Sequence, residues 1–137
     1  MTAEAPAWFP TDVTSALDEK LGIEMIDWDP DRVTARMPVE GNTQPYGILH
    51  GGATCSLVET VGSYAAALAA GPGAHVVGIE LNATYLLPAT SGHVTAVCTP
   101  VGSEPPLATF VIEVADDRGQ TTASARLTCM VRPGRGA

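Results

Sequence analysis

Glu59 stands alone in a long uncharged part of the chain. It is the only charged residue between Glu40 and Glu80, and the segment 41–79 around it contains no Lys, Arg or Asp. A carboxylate in such apolar surroundings is costly to bury unless it is paired or used in chemistry. Poor solvation would leave it reactive, either as a nucleophile or as a base toward water. Glu59 is therefore the first candidate for a reactive group.

A second candidate group stands just before Glu59, at the start of a predicted helix. His50 is followed there by Gly51 and Gly52. The first backbone N–H groups of a helix have no partner inside it, and the positive end of the helix dipole lies behind them. Glycines let a ligand approach that backbone closely. The pattern predicts an oxyanion hole for a carbonyl oxygen, in which one donor is worth roughly 10²–10³ in rate.

Ser56, Glu59 and Ser63 share one face of the predicted helix, because residues three and four apart are neighbours there. Glu59 lies about two turns into the helix, so it cannot reach the N–H groups at the start of the same helix. A second subunit, with its helix running the other way, would bring the two groups together. The expected site therefore spans a dimer interface, with Gly51 from one chain and Glu59 from the other.

Each of these residues also has a structural interpretation. Glu59 would then be a carboxylate bonded to Ser or Thr across an interface, and Ser63 would serve packing or local hydrogen bonding. His50 would anchor its loop, and the two glycines would allow close packing. Cys55 is a weak alternative nucleophile, because no base is placed by the sequence to activate it.

Length and composition indicate one domain spanning 1–137, with a core large enough to need neither disulfides nor metal. The net charge of −8 argues against nucleic acid as a partner. Charged residues make up only 16%, which suggests that some surface is buried against a second copy. Basic residues are absent between Arg36 and Arg118, so few cations are available for an anionic ligand.

The remaining sequence signals predict a cytoplasmic protein without cofactor, metal site or membrane span. The three cysteines, an odd number without a Cys-x-x-Cys pair, indicate free thiols in a reducing compartment. Segment 1–10 lacks the basic start and apolar core of a signal peptide. We expect 1–10 and 133–137 to be flexible ends.

The order of predicted elements is a helix, two strands, a long buried helix and a run of long strands. Thr11 and Asp12 would cap the first helix, in which Val13, Leu17 and Leu21 are spaced by four. The remaining predicted elements are strands 23–28 and 32–39, helix 51–70, and strands 75–87, 93–101, 107–115 and 121–131. The fold class is α+β, with a curved antiparallel sheet of five to six strands wrapped around the long helix.

Two motifs resemble the hotdog-fold thioesterases. They are QPYGILHGGA at 44–53 and ETVGS at 59–63, and VGIELNAT at 77–84 resembles the strand that follows the helix in those proteins. The likeness is greatest to the branch that hydrolyses aromatic acyl-CoA esters with a glutamate, the phenylacetate-pathway type included. The resemblance implies an acyl-CoA thioesterase for an aromatic or medium-sized hydrophobic acyl group, assembled as a homodimer and then a homotetramer.

The resemblance also implies roles for individual residues. Glu59 would be the nucleophile or the general base, and the Gly51 N–H and the Gln44 amide would polarise the thioester carbonyl. His50 would support that site or the departing thiolate, and Ser63 would place the water or contact the acyl ring. The implied substrate-binding residues are Asn42, Gly52, Thr60, Asn82 and Tyr85.

The chain departs from these relatives where they grip coenzyme A. Residues 85–88 read Tyr-Leu-Leu-Pro where relatives often have His-His-Arg-Pro. In the region where relatives often carry a Gly-Arg pair, this chain has Glu104 and no arginine. The phosphates would then be met by another arginine, or the carrier differs, for example an acyl carrier protein. Two further alternatives are a non-hydrolytic acyl-binding protein and, ranked last, a hydratase. The arginines available are Arg32, Arg36, Arg126 and Arg132.

Overall fold

The computed structural model describes residues 1–12 and 15–134. They form one six-stranded antiparallel sheet and two helices. The strand order across the sheet is β1-β2-β4-β5-β6-β3, so β1 and β3 form its edges. In chain order the elements are α1 (Ala16–Leu21), β1 (Glu24–Asp27), β2 (Val33–Pro38), α2 (Gly51–Ala70), β3 (His75–Tyr85), β4 (His93–Glu104), β5 (Leu107–Asp116) and β6 (Thr121–Arg132).

The long helix α2 lies against the sheet and supplies much of the core. Its bounds are those predicted, because its start coincides with Gly51 and Gly71 ends it. Leu57, Val58 and Val61 are completely buried in contact with strand residues. Such a sheet around one central helix is the expected hotdog arrangement, and the predicted fold is confirmed.

The first helix begins later than predicted. Ser15 is its N-cap and accepts a hydrogen bond from the Asp18 N–H, so the predicted cap at Thr11 and Asp12 is wrong. Asp, Thr and Ser are all good caps, and the sequence alone did not separate them. Val13, part of the predicted apolar spacing, lies outside the described residues.

The N-terminal segment 1–10 was expected to be flexible, and one residue in it, Phe9, packs into the core. Phe9 is buried, and its ring centroid lies 5.0 Å from that of Trp28 and 5.7 Å from that of Tyr64. The Ala3 carbonyl also accepts a hydrogen bond from the Trp28 N–H. An aromatic cluster between the segment, the turn after β1 and α2 therefore holds this end of the chain. Of the predicted tail, 135–137 lie outside the described residues.

Strand β3 carries a β-bulge that decides which of its side chains face α2. Gly78 pairs with Cys129 and Glu80 pairs with Thr128, so Ile79 is the extra residue. Beyond the bulge Leu81 and Ala83 pack against the core, and the alternation of a strand sends Asn82 to the other face.

Candidate active site

The N-terminus of α2 leaves one backbone donor free. His50 is the N-cap, and its Nδ1 accepts a hydrogen bond from the Gly52 N–H at 2.8 Å. The His50 carbonyl accepts bonds from the N–H groups of Ala53 and Thr54. Among the described residues, no acceptor bonds the Gly51 N–H. A single donor with the helix dipole behind it is thus left to meet a ligand.

Gln44 lines the same cavity as Gly51, a space of about 430 Å³. Its side-chain oxygen accepts a hydrogen bond from the Tyr46 N–H in the loop before α2. That bond leaves the amino end of the Gln44 amide as a donor. The cavity therefore holds two donors, one from the backbone and one from a side chain, as an oxyanion site requires.

Tyr85 closes the same cavity from β3. A Cβ added to Gly51 would lie 2.7 Å from both the Cζ and the Oη of Tyr85, so the phenol rests directly on the helix backbone. The Tyr85 hydroxyl lies 3.2 Å from the Cys55 Sγ. This hydrogen bond, together with burial, raises the pKa of Tyr85 to about 12, so the phenol is protonated at neutral pH. Gly51 is thus needed for the close approach of Tyr85.

Glu59 occupies a different part of the structure, against β3 near its bulge. Its carboxylate lies over Gly78, where an added Cβ would overlap Oε1 and lie 2.8 Å from Cδ. Glu59 is half-buried, and within the described residues it has neither a hydrogen bond nor an ion pair. A carboxylate without a partner is available for proton transfer or for attack on carbon.

Ser63 and Cys129 lie beside Glu59. Burial raises the pKa of the Cys129 thiol to about 11; the nearby Glu59 carboxylate adds to the rise and the Ser63 hydroxyl opposes it. Ser63 stands one turn further along α2, as its spacing predicted. The structure therefore brings Glu59 and Ser63 together.

Helix α1 forms the other wall around Glu59. A cavity of about 480 Å³ is bordered by Glu59, Cys55, Leu17 and Leu81. The Thr60 hydroxyl donates to Asp18 Oδ1 at 2.7 Å and ties α1 to α2. Thr60, predicted to bind substrate, thus has a structural bond that shapes this cavity.

The predicted site residues therefore fall into two groups within one chain. Gln44, Gly51 and Tyr85 share the first cavity, whereas Glu59 lines the second. Glu59 lies eight positions after Gly51, which is about 12 Å along a helix. One described chain does not bring the carboxylate to the oxyanion donors.

Two predicted substrate-binding residues lie apart from both groups. Asn42 is buried, and its amide donates to the carbonyls of Leu21 and Pro38, so it anchors the loop before α2. Asn82 points away from α2 and donates to Glu80. Gly52 is exposed, with its N–H held by His50.

Sequence reasoning missed the contacts of two residues beside Tyr85 and Glu59. Cys55 was predicted to be a free thiol, with a weak alternative as a nucleophile, whereas it is the hydrogen-bond partner of Tyr85. Gly78 carried no signal except that a glycine is unusual inside a strand. Within the described residues, no group of three or more potential ligands could hold a metal, and no helix is long and apolar enough to cross a membrane.

Comparison with known proteins decides the family. The Thioesterase superfamily matches residues 46–123, a range that contains Gly51, Glu59 and Gly78. The chain belongs to the thioesterase superfamily. Members of this family act on small acyl thioesters, and the activity of this thioesterase is thioester hydrolysis.

Individual relatives agree with this assignment. The thioesterase is 39% identical over 102 residues to the 1,4-dihydroxy-2-naphthoyl-CoA hydrolase of Escherichia coli, covering 74% of this chain and 75% of that protein. It is 41% identical over 108 residues to the proofreading thioesterase EntH of Klebsiella pneumoniae, covering 78% and 79%. A solved thioesterase from Haemophilus influenzae superposes with a TM-score of 0.84 at 36% identity, covering 88% of this chain and 85% of that one.

Proposed function

We propose that this thioesterase hydrolyses the CoA ester of an aromatic or medium-sized hydrophobic acid, with Glu59 as its catalytic carboxylate. The observation that carries the proposal is that one helix presents two groups without a hydrogen-bond partner among the described residues, the Glu59 carboxylate and the Gly51 N–H. The name of the Escherichia coli relative, a naphthoyl-CoA hydrolase, supports the aromatic acyl group.

In this mechanism the thioester carbonyl oxygen accepts hydrogen bonds from the Gly51 N–H and the Gln44 amide. Glu59 either removes a proton from water, so that hydroxide attacks the carbonyl carbon, or attacks that carbon itself to form an anhydride that water then cleaves. In both routes the C–S bond breaks, the thiolate takes up a proton, and the acid is released. The two donors stabilise the negative charge that develops on oxygen.

The catalytic site would be completed by a second copy of the chain. Glu59 and the oxyanion donors line separate cavities in one chain. Strand β3 is an edge of the sheet, and its apolar Val77 and Ile79 are exposed there. An exposed edge with apolar side chains favours pairing with another strand. A homodimer joined at β3, assembled further into a tetramer, is the proposed arrangement.

The acyl and carrier ends differ in polarity. Leu17 and Leu81 border the Glu59 cavity and suit a hydrophobic acyl group. The Gly51 cavity has Leu86 and Leu87 at its rim and no cationic side chain among its described lining residues. Arg36 is already paired with Glu24 at 3.0 Å. The alternative is therefore a carrier that is bound through groups other than its phosphates, for example an acyl carrier protein.

The three free cysteines fit a cytoplasmic site of action.

The decisive experiment measures thiol release from benzoyl-CoA and related esters by wild type and by Glu59→Gln. Loss of the carboxylate should lower kcat about 10²–10⁴-fold, the usual contribution of a general base. Glu80→Gln is the matched control, because Glu80 bonds Asn82 on the opposite face of the sheet. Wild-type turnover by Glu59→Gln would show that the role assigned to Glu59 is wrong.

A further inference from the structure

The backbone of β3 does not itself need a glycine at position 78. Seven glycines of the described chain have positive φ, where other residues are strained, and Gly78 is not among them. Glycine inside a strand is destabilising relative to residues with side chains. The reason for Gly78 must therefore be what lies next to it.

The neighbour of Gly78 is the Glu59 carboxylate. The three atoms nearest to a Cβ added at Gly78 all belong to that group, namely Oε1, Cδ and Oε2. The space that a side chain at position 78 would fill is thus already filled by the carboxylate. Glycine lacks the methyl group of alanine and so leaves space on the sheet for the Glu59 carboxylate.

The bulge next to Gly78 allows residues on both sides of it to face α2. Gly78 faces α2 just before the extra residue Ile79, and Leu81 and Ala83 face α2 after it. Without the extra residue, the period of two would turn the later side chains to the other face. Tyr85, which lies on Gly51, depends on the same phase.

We propose that Gly78 is a positioning residue: by leaving space on β3, it allows the Glu59 carboxylate to take up its working position. The inference rests on the proposed catalytic role of Glu59. A Cβ at position 78 pushes the carboxylate away, and because Glu59 is a flexible side chain, it yields while the strand stays in place. A displacement of about 1 Å from a productive geometry costs on the order of 10²-fold in rate.

The test compares Gly78→Ala with Gly102→Ala. Gly102 is also next to a bulge, between Pro100 and Gly102 in β4, and no described atom lies within 4 Å of a Cβ added there. With benzoyl-CoA as the probe, Gly78→Ala should lower kcat about 10- to 100-fold. KM should change less than threefold, and Gly102→Ala should keep wild-type kcat. An equal loss in both variants, or none in either, would overturn the proposal.

A double variant separates positioning from other effects of the methyl group. If Gly78 acts through Glu59, then Gly78→Ala costs no further rate in a Glu59→Gln background. Additive losses would mean that Gly78 acts on something else. Should Gly78→Ala fail to fold, the E59A/G78A variant should fold, because removing the carboxylate clears the space. An unfolded double variant would show that the strand itself needs the glycine.

A measurement without turnover distinguishes this inference from the proposed function. Crystal structures of wild type and Gly78→Ala should show the Glu59 carboxylate displaced by about 1 Å or more, with β3 unmoved. An undisplaced carboxylate overturns the positioning role even if the enzyme is active. If wild type releases no thiol from the whole panel of esters, the proposed function fails, and the displacement still decides whether Gly78 positions Glu59.

Discussion

Helix α2 and strand β3 touch closely at two places, and a missing Cβ makes each contact possible. At the start of α2 the glycine belongs to the helix, and Tyr85 of the strand rests on Gly51. Further along, the glycine belongs to the strand, and Glu59 of the helix rests on Gly78. The first contact surrounds hydrogen-bond donors, whereas the second surrounds an unpaired carboxylate. In the proposed function, these two contacts of one pair of elements are the complementary halves of the hydrolytic site.

In the proposed function, one chain alone does not complete the site. The two halves lie on one helix, and they are separated by about two turns. A rigid helix fixes that separation, so no side-chain rotation brings the carboxylate to the donors of its own chain. A second copy in the opposite direction would place each half against its complement.

The largest expected effect comes from mixing two inactive variants. Gln44→Ala damages the donor half and Glu59→Gln damages the carboxylate half. Random pairing makes half of the dimers mixed, and each mixed dimer has one intact site of two, so mixing should restore about a quarter of wild-type activity. Thiol release after denaturing and refolding the mixture measures this.

The control for that experiment mixes Glu59→Gln with Glu59→Ala. Both variants damage the same half, so no site regains its carboxylate and activity should stay at the level of the single variants. If the Gln44 and Glu59 mixture also stays inactive, the halves of a site come from the same chain.

The next effect probes the contact at the start of α2. Gly51→Ala should lower kcat about tenfold or more, because its Cβ would collide with the Tyr85 phenol and disturb the geometry around the donor that a substrate must reach. In a Tyr85→Ala background the same change should cost less, since the colliding ring is gone. Equal costs in the two backgrounds, measured as kcat for benzoyl-CoA, would break the link between Gly51 and Tyr85.

Much of this fold could be predicted from sequence because its signals are local. Gly51 at the start and Gly71 at the end fixed the bounds of α2. The start of α1 was wrong because several nearby residues can cap a helix equally well. The packing of Phe9 depends on Trp28 and Tyr64, which are distant in the chain.

Glu59, Gly51 and Ser63 were predicted by type and spacing and the other site residues by the resemblance, but their contacts were not predicted. The isolation of Glu59 and the glycines at 51 and 52 are visible in the sequence. The contact between Glu59 and Gly78 is not visible there, because it depends on the extra residue Ile79. That residue shifts the strand register without any local composition signal. The same shift turns Tyr85 onto Gly51. Long-range register therefore limits how far sequence reasoning reaches here.

A smaller effect tests the carrier end of the donor half. Because no cation lines the described Gly51 cavity, the phosphates of CoA should contribute little to catalysis. Benzoyl-CoA and the N-acetylcysteamine thioester of benzoate, which lacks those phosphates, should differ less than about tenfold in kcat/KM, or about 1.4 kcal/mol. A difference of a thousandfold would show that arginines outside the cavity, from this chain or its partner, grip the carrier.

The smallest effect tests the carboxylate half through its neighbouring thiol. The pKa of Cys129 is raised to about 11, above its ordinary value of 9.0, by burial and then by Glu59. Between these values the folded chain keeps a proton that the unfolded chain has lost, so the free energy of unfolding is unaffected below pH 9 and falls as the pH rises toward 11. Glu59→Gln removes one cause of the raised pKa and should make that fall shallower, whereas Glu80→Gln should not. Urea unfolding at pH 8 and pH 10.5 measures this fall in each variant. An equal fall in the two variants would show that the charge of Glu59 does not raise the pKa of Cys129.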